Sequence, residues 1–136
     1  MKKLIRMIGG NILLDTNIII RIFGGDKLLV DKLNNQSVFF IPSIVVGELY
    51  VGVNRVINRS KHLKMLEEFI NQSRILSVDL ETSRYYGEIV AALFKKGKPI
   101  PTNDIWIASL AKQHQLTLIS NDAHFKLIDK LKVKSW

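Results

Sequence analysis

The strand-like segments of this chain are apolar runs without alternation, and that feature limits the fold more than any other. ILLDTNIII at 12–20, VFFI at 38–41, ILSV at 75–78 and LTLI at 116–119 are short and rich in Ile, Leu, Val and Phe. A strand wetted on one face alternates apolar with polar residues, whereas a strand covered on both faces does not. The intervening segments carry helical spacing. Asp26 to Gln36 contains Leu28, Leu29 and Leu33 and ends at Asn34-Asn35. Ser43 caps a helix running through Glu48 to about Val53, and Ser60 to Gln72 places Leu63, Leu66, Phe69 and Ile70 on one face. Asp79 caps a long helix to about Lys96, with Tyr85, Ile89, Ala92 and Leu93 inward, broken by Gly97-Lys98-Pro99. Thr102 or Asn103 caps the next helix, to about His114, and His124 to Leu131 reads as a short helical piece before an edge strand at Val133 to Trp136. Residues 11–20 read as the first buried strand, and Pro42 as the stop of the second. Such alternation predicts an α/β three-layer sandwich, a parallel central sheet flanked by helices. With no repeat and no linker, residues 1–136 read as one domain.

The chain has no cysteine, which excludes disulfides and thiolate chemistry and makes the reducing cytoplasm the expected compartment. Lys2, Lys3 and Arg6 precede apolar residues as in a secretory leader, but Asn11, Asp15, Asn17 and Arg21 interrupt the run and no small-residue cleavage site follows. A membrane span needs about 20 apolar residues, and no such stretch exists. The formal net charge of +8 attracts polyanions, nucleic acid first, although a lysine-rich solvated surface accounts for it equally well.

Against that basic background stand only twelve acidic residues, and their positions sort them. Asp26, Asp31, Glu67, Glu68, Asp79, Glu81, Glu88 and Asp129 fall on helix faces or at helix ends. Four others differ. Asp15 follows Ile12-Leu13-Leu14, which moves the strand's end to Leu14 and lets Ile18 to Ile20 re-enter the core. Glu48 sits in a helix apolar on almost every side; Asp104 lies in a first helical turn; Asp122 follows the fourth strand. Ligands of a parallel sheet bind at the carboxyl ends of its strands, so topology can bring all four together. Converging carboxylates raise one another's pKa unless a cation joins them, and hard divalent ions such as Mg²⁺ and Mn²⁺ take oxygen ligands. Taken singly, Asp15, Asp104 and Asp122 also read as a cap, a helix-dipole partner and a turn residue, and Glu48 as one half of a buried ion pair.

In order, Leu14-Asp15-Thr16-Asn17, Glu48-Leu49 with Gly52-Val53, Pro101 to Asp104 with Ile107-Ala108, and Ser120-Asn121-Asp122 with Phe125 resemble the PIN-domain ribonucleases, and among them the VapC-like toxins of toxin–antitoxin pairs. The resemblance spans essentially the whole chain. It implies a parallel sheet sandwiched by helices and an endoribonuclease that hydrolyses RNA with one or two Mg²⁺ or Mn²⁺ ions. Mapped by motif, it implies that Asp15 and Asp104 are direct metal ligands, that Glu48 orients a water or binds metal, and that Asp122 holds a second ion or a water. Thr16, Asn17, Asn103 and Ser120 would support them by hydrogen bonds. It also implies a homodimer silenced by a small cognate antitoxin. Ser120 stands where many relatives have Thr.

Other chemistries lack their residues. Gly97-Lys98 has neither the earlier Gly nor the following Ser or Thr of a P-loop, and there is no GxGxxG. His62, His114 and His124 are scattered without zinc-ligand spacing and read as surface or helix-end residues. No nucleophile elbow exists for Ser-His-Asp catalysis. Trp106 and Trp136 read as packing residues. A phosphatase or phosphoacceptor site would want an Asp-x-Asp where this chain has Asp15-Thr16-Asn17. A housekeeping nuclease of the same family, or a non-catalytic RNA- or antitoxin-binding module, remains compatible with fold and charge.

Overall fold

The computed structural model describes residues 11–136; Lys2, Lys3 and Arg6, which bear on the reading of the N-terminus, lie outside the described residues. The order of elements is β1 (Ile12–Leu14), α1 (Thr16–Phe23), α2 (Lys27–Asn34), β2 (Phe40–Pro42), α3 (Ser43–Arg55), α4 (Arg59–Gln72), β3 (Arg74–Leu76), α5 (Leu80–Lys96), α6 (Thr102–Gln113), β4 (Thr117–Ile119), a 3₁₀ turn (Ala123–Leu127) and β5 (Val133–Lys134). The strands form one sheet in the order β3-β2-β1-β4-β5, and every pairing is parallel. Leu13 lies opposite Phe40 on one side and Leu118 on the other. The expected three-layer architecture is therefore present. Its central strands are apolar throughout because helices cover both faces: Leu13, Leu14, Ile41, Leu118 and Ile119 have no exposed surface.

The strand order fixes where a ligand can enter. From β1 the chain winds outward to β2 and β3, then crosses back to β4 on the other side of β1. The reversal leaves a crevice beyond the carboxyl ends of β1 and β4, the switch point at which open α/β sheets bind ligands.

Several boundaries differ from the sequence reading, each for a physical reason. Residues 15–20 are not strand: Asp15 is the N-cap of α1, its carboxylate accepting the Thr16 N–H at 2.8 Å. The isoleucines then take helical spacing, with Ile18 and Ile19 buried and Ile20 exposed rather than in the core. Pro42 does not stop β2 before it; it is the strand's last residue and the N-cap of α3, where its missing N–H and fixed φ cost nothing. Ser43 and Thr102 accordingly begin their helices instead of capping them, Pro101 standing before the second. The third strand lies at Arg74–Leu76 rather than 75–78, on the sheet edge, which is why Arg74 and Ile75 are exposed. The piece after β4 is a 3₁₀ turn ending at Leu127. Asp79 caps α5 as expected, in a capping box with Thr82, and Gly97 ends that helix at φ +64°. Trp106 packs flat on Tyr86, ring centroids 3.9 Å apart.

Candidate metal centre

Asp15 reaches the switch point because β1 ends at Leu14 and the next residue must both continue the β1–β4 ladder and start a helix. Its backbone N–H donates to Ile119 O at 3.2 Å. The residue is 5% exposed and its carboxylate is held on both oxygens: Oδ1 accepts the Thr16 N–H, and Oδ2 accepts the Ser120 hydroxyl at 2.7 Å. Ser120 Oγ in turn accepts the Asp122 N–H at 3.0 Å. One buried hydroxyl thus ties the end of β1 to the turn that carries Asp122. The Asp122 carboxylate caps the 3₁₀ turn, Oδ1 accepting the His124 N–H at 2.9 Å.

Asp104 comes from the first turn of α6, across the crevice. His124 Nδ1 stands 3.4 Å from Asp104 Oδ2 and 3.1 Å from Asp122 Oδ1. Ligand atoms of Asp104, Asp122 and His124 all lie within 4.8 Å of one another. Burial pushes the Asp104 carboxyl up to about 6, with the charges of Asp122 and Asp15 adding to it and His124 opposing. Asp15 is also raised, first by burial, against the lowering effect of its hydrogen bonds to Ser120 and Thr16, with Asp122 adding its charge. Glu48 joins through Thr16, whose hydroxyl donates to Glu48 Oε1 at 3.0 Å.

The fold therefore brings Asp15, Asp104 and Asp122 into one electrostatic unit and links Glu48 to its edge. Thr16 and Ser120 make the expected supporting hydrogen bonds. Asn17 and Asn103 are exposed, and among the described residues neither hydrogen-bonds to the acids. His124, read from the sequence as a surface or helix-end residue, is in the cluster. The signal that could have found it is the Asp-x-His spacing immediately after a strand at the switch point; a search for two histidines at zinc spacing passes over it.

Asp15 and Asp104, both raised by burial and by the charge of Asp122 at a strand-end crevice, define a class: an α/β protein whose site suits a hard divalent cation, because positive charge there relieves the repulsion and oxygen donors match it. The PIN-domain family profile matches residues 12–131. The ribonuclease VapC2 of Haemophilus influenzae is 32% identical over 127 residues, covering 91% of this chain and 96% of that protein. The tRNA(fMet)-specific endonuclease VapC of Salmonella typhimurium is 29% identical with the same coverage. In the crystal structure of VapBC2 from Rickettsia felis bound to a DNA fragment from their promoter, the matching chain superposes with a TM-score of 0.85 at 30% identity, covering 92% of this chain and 98% of that one. This chain belongs to the PIN-domain family and, within it, to the VapC-type ribonucleases.

Proposed function

We propose that this protein is a metal-dependent endoribonuclease and the toxin of a toxin–antitoxin pair, working in the cytoplasm as one nuclease domain. The observation that carries the reading is Asp104, a carboxyl lifted first by burial and further by the charges of Asp122 and Asp15 at the crevice where the fold accepts ligands. Asp104 and Asp122 would hold Mg²⁺ or Mn²⁺, one ion or two, with Asp15 beside them. When bound, the cation supplies Lewis-acid activation of water and neutralises charge developing on the phosphodiester. The chain's own groups do the rest. Ser120 and Thr16 keep the Asp15 carboxylate from rotating, and Glu48, oriented by Thr16, accepts a proton from water entering the crevice. The net charge of +8 draws the RNA backbone toward an otherwise acidic centre.

The antitoxin reading is supported by the R. felis VapBC2 complex and by the DNA-bound VapBC of S. typhimurium, whose matching chain has a TM-score of 0.87 at 29% identity. An apolar groove of about 380 Å³, lined by Ile20, Phe23, Leu49, Val53, Val56 and Met65, opens beside Glu48. An antitoxin segment seated there would block the acids, and a homodimer would present two such grooves. No helix among the described residues is long and apolar enough to cross a membrane.

The test is cleavage of RNA, with initiator tRNA as a first substrate because the Salmonella relative carries that specificity in its name. The expected result is cutting in Mg²⁺ or Mn²⁺, none in EDTA, and a loss of at least about a hundredfold in Asp104→Asn, the size of effect seen when a single group stabilising transition-state charge is removed. Full activity in Asp104→Asn would overturn the site assignment, and RNA binding without cleavage would make the protein a binding module.

A further inference from the structure

Of the three histidines, His124 alone stands in the acidic centre, and the roles proposed above leave it without a task. It is not there to fill the core, since its side chain is half exposed. Among the described residues it is also the only basic side chain in an ion pair with Asp104 or Asp122; the arginine and lysine pairs go to Asp26, Glu81, Glu88 and Asp129.

We propose that His124 Nδ1 is a direct ligand of the cation held by Asp104 and Asp122, and that this nitrogen makes the site prefer Mn²⁺ to Mg²⁺. The inference rests on the metal-dependent reading above and adds to it a ligand and a selectivity. Its first support is spacing. Donor atoms on adjacent vertices of an octahedron with bonds of about 2.1 Å lie about 3 Å apart. His124 Nδ1 lies 3.1 and 3.4 Å from one oxygen of each carboxylate, a separation that a common ion can span. The second support is local geometry: the His124 backbone N–H donates to the Asp122 carboxylate at 2.9 Å, so the 3₁₀ turn holds that carboxylate against the residue whose ring faces it. The third is chemical. Mg²⁺ takes oxygen almost exclusively and holds its waters, while the transition ions gain from an imidazole. Coordination needs the tautomer with its proton on Nε2. In the metal-free protein the same ring can instead donate Nδ1–H to the two acids, a role any amide could fill.

The experiment is Mn²⁺ added to the metal-free full-length protein, read by pulsed EPR for nitrogen coupling and by competition for Mn²⁺ and Mg²⁺ affinity. Wild type should show imidazole nitrogen coupling that disappears in His124→Leu and His124→Gln. Both variants should lose Mn²⁺ affinity by about tenfold or more, a loss at least equal to that from removing an outer-shell partner, while Mg²⁺ affinity falls by less than about threefold. Gln keeps a hydrogen bond to Asp122 but offers no ring nitrogen, so wild-type Mn²⁺ binding in His124→Gln overturns the inference. Mn²⁺ that binds, depends on Asp104 and shows no nitrogen coupling also overturns it, leaving the metal-dependent reading in place. Mn²⁺ binding unchanged in Asp104→Asn overturns both. A cooperative urea transition in each variant establishes that it folds.

Discussion

Ser120 Oγ makes two hydrogen bonds at once, donating to Asp15 and accepting from the Asp122 N–H. Removing it strands a buried carboxylate oxygen and a backbone donor in the same place. Ser120→Ala should therefore cost about 1–3 kcal/mol, as a shift in the urea midpoint, because an unmade hydrogen bond to a buried group costs its full desolvation. Ser120→Thr, which keeps the hydroxyl, should lose much less; equal losses in both variants would mean that packing, not the hydroxyl, matters there. The acids were visible in the sequence only as a set: singly Asp15, Asp104 and Asp122 read as a cap, a helix-dipole partner and a turn residue, and it is their shared sheet edge that gives them a common meaning. Asp15, Asp104 and Asp122 stand together as that argument implied, and Glu48 connects through Thr16. His124 was passed over, because a search for paired histidines does not see its Asp-x-His spacing and its meaning comes from Asp104 on α6 folding back across the crevice. Asn17 and Asn103 show the converse: each lies within two residues of an acid in sequence, yet helical geometry turns its side chain outward, exposed.

At the scale of elements, the parallel sheet was readable and the first helix was not. The four apolar runs each contributed a strand: for β1, β2 and β4 burial on both faces leaves the same composition whatever the exact register, while the edge strand β3 is shifted and exposed. Thr16–Phe23 escaped because isoleucines favour strands by propensity, and what decides the matter is the Asp15 cap and the burial of Ile18 and Ile19 against the core. Tertiary packing outweighs a local preference worth a fraction of a kcal/mol per residue. Prolines misled in the same way: Pro42 and Pro101 mark the joint between an extended segment and a helix, so the polar residue after each begins the helix rather than capping it. The end of α5 makes a sharper test. Gly97 closes it at φ +64°, with open space where a Cβ would sit, so Gly97→Ala meets no clash and is opposed only by the strain of holding a side chain at that φ. The expected cost is about 1 kcal/mol, the penalty of the left-handed region for an L-residue. A cost several times larger in chemical denaturation would show that α5 depends on its C-terminal turn for more than conformation.

At the scale of the whole molecule, the acids divide by the sign of their shifts, and the metal-free protein should show both signs in its stability. Asp26, Asp79 and Asp129 are lowered, by the Arg21 hydrogen bond, the Thr82 N–H and the Lys96 hydrogen bond respectively. Each contributes stability above its unfolded value of 3.8 that is lost on further acidification. Asp104 runs the other way. Its carboxyl goes from 3.8 to about 6 on folding, so between those values the native state binds the extra proton and stability falls as the pH rises. In EDTA the urea midpoint should therefore peak in the interval where the first group is already ionised and Asp104 is still protonated. Asp104→Asn isolates the second effect. The variant should match wild type below about pH 4 and exceed it by about 1–2 kcal/mol at pH 7, after allowance for solvent screening of a half-buried group. Millimolar Mn²⁺ or Mg²⁺ should close that gap by stabilising wild type alone, because an ion that binds only the native state adds RT ln(1 + [L]/Kd). Parallel stability curves for the two proteins in EDTA would mean that neither burial nor the charges of Asp122 and Asp15 raise Asp104. A gap that opens with pH and is not closed by metal would leave the cost of the ionised carboxylate real and its relief by a cation wrong. The residue that costs the empty fold most is then the one the loaded site cannot do without, which is the trade expected where charge is concentrated for function.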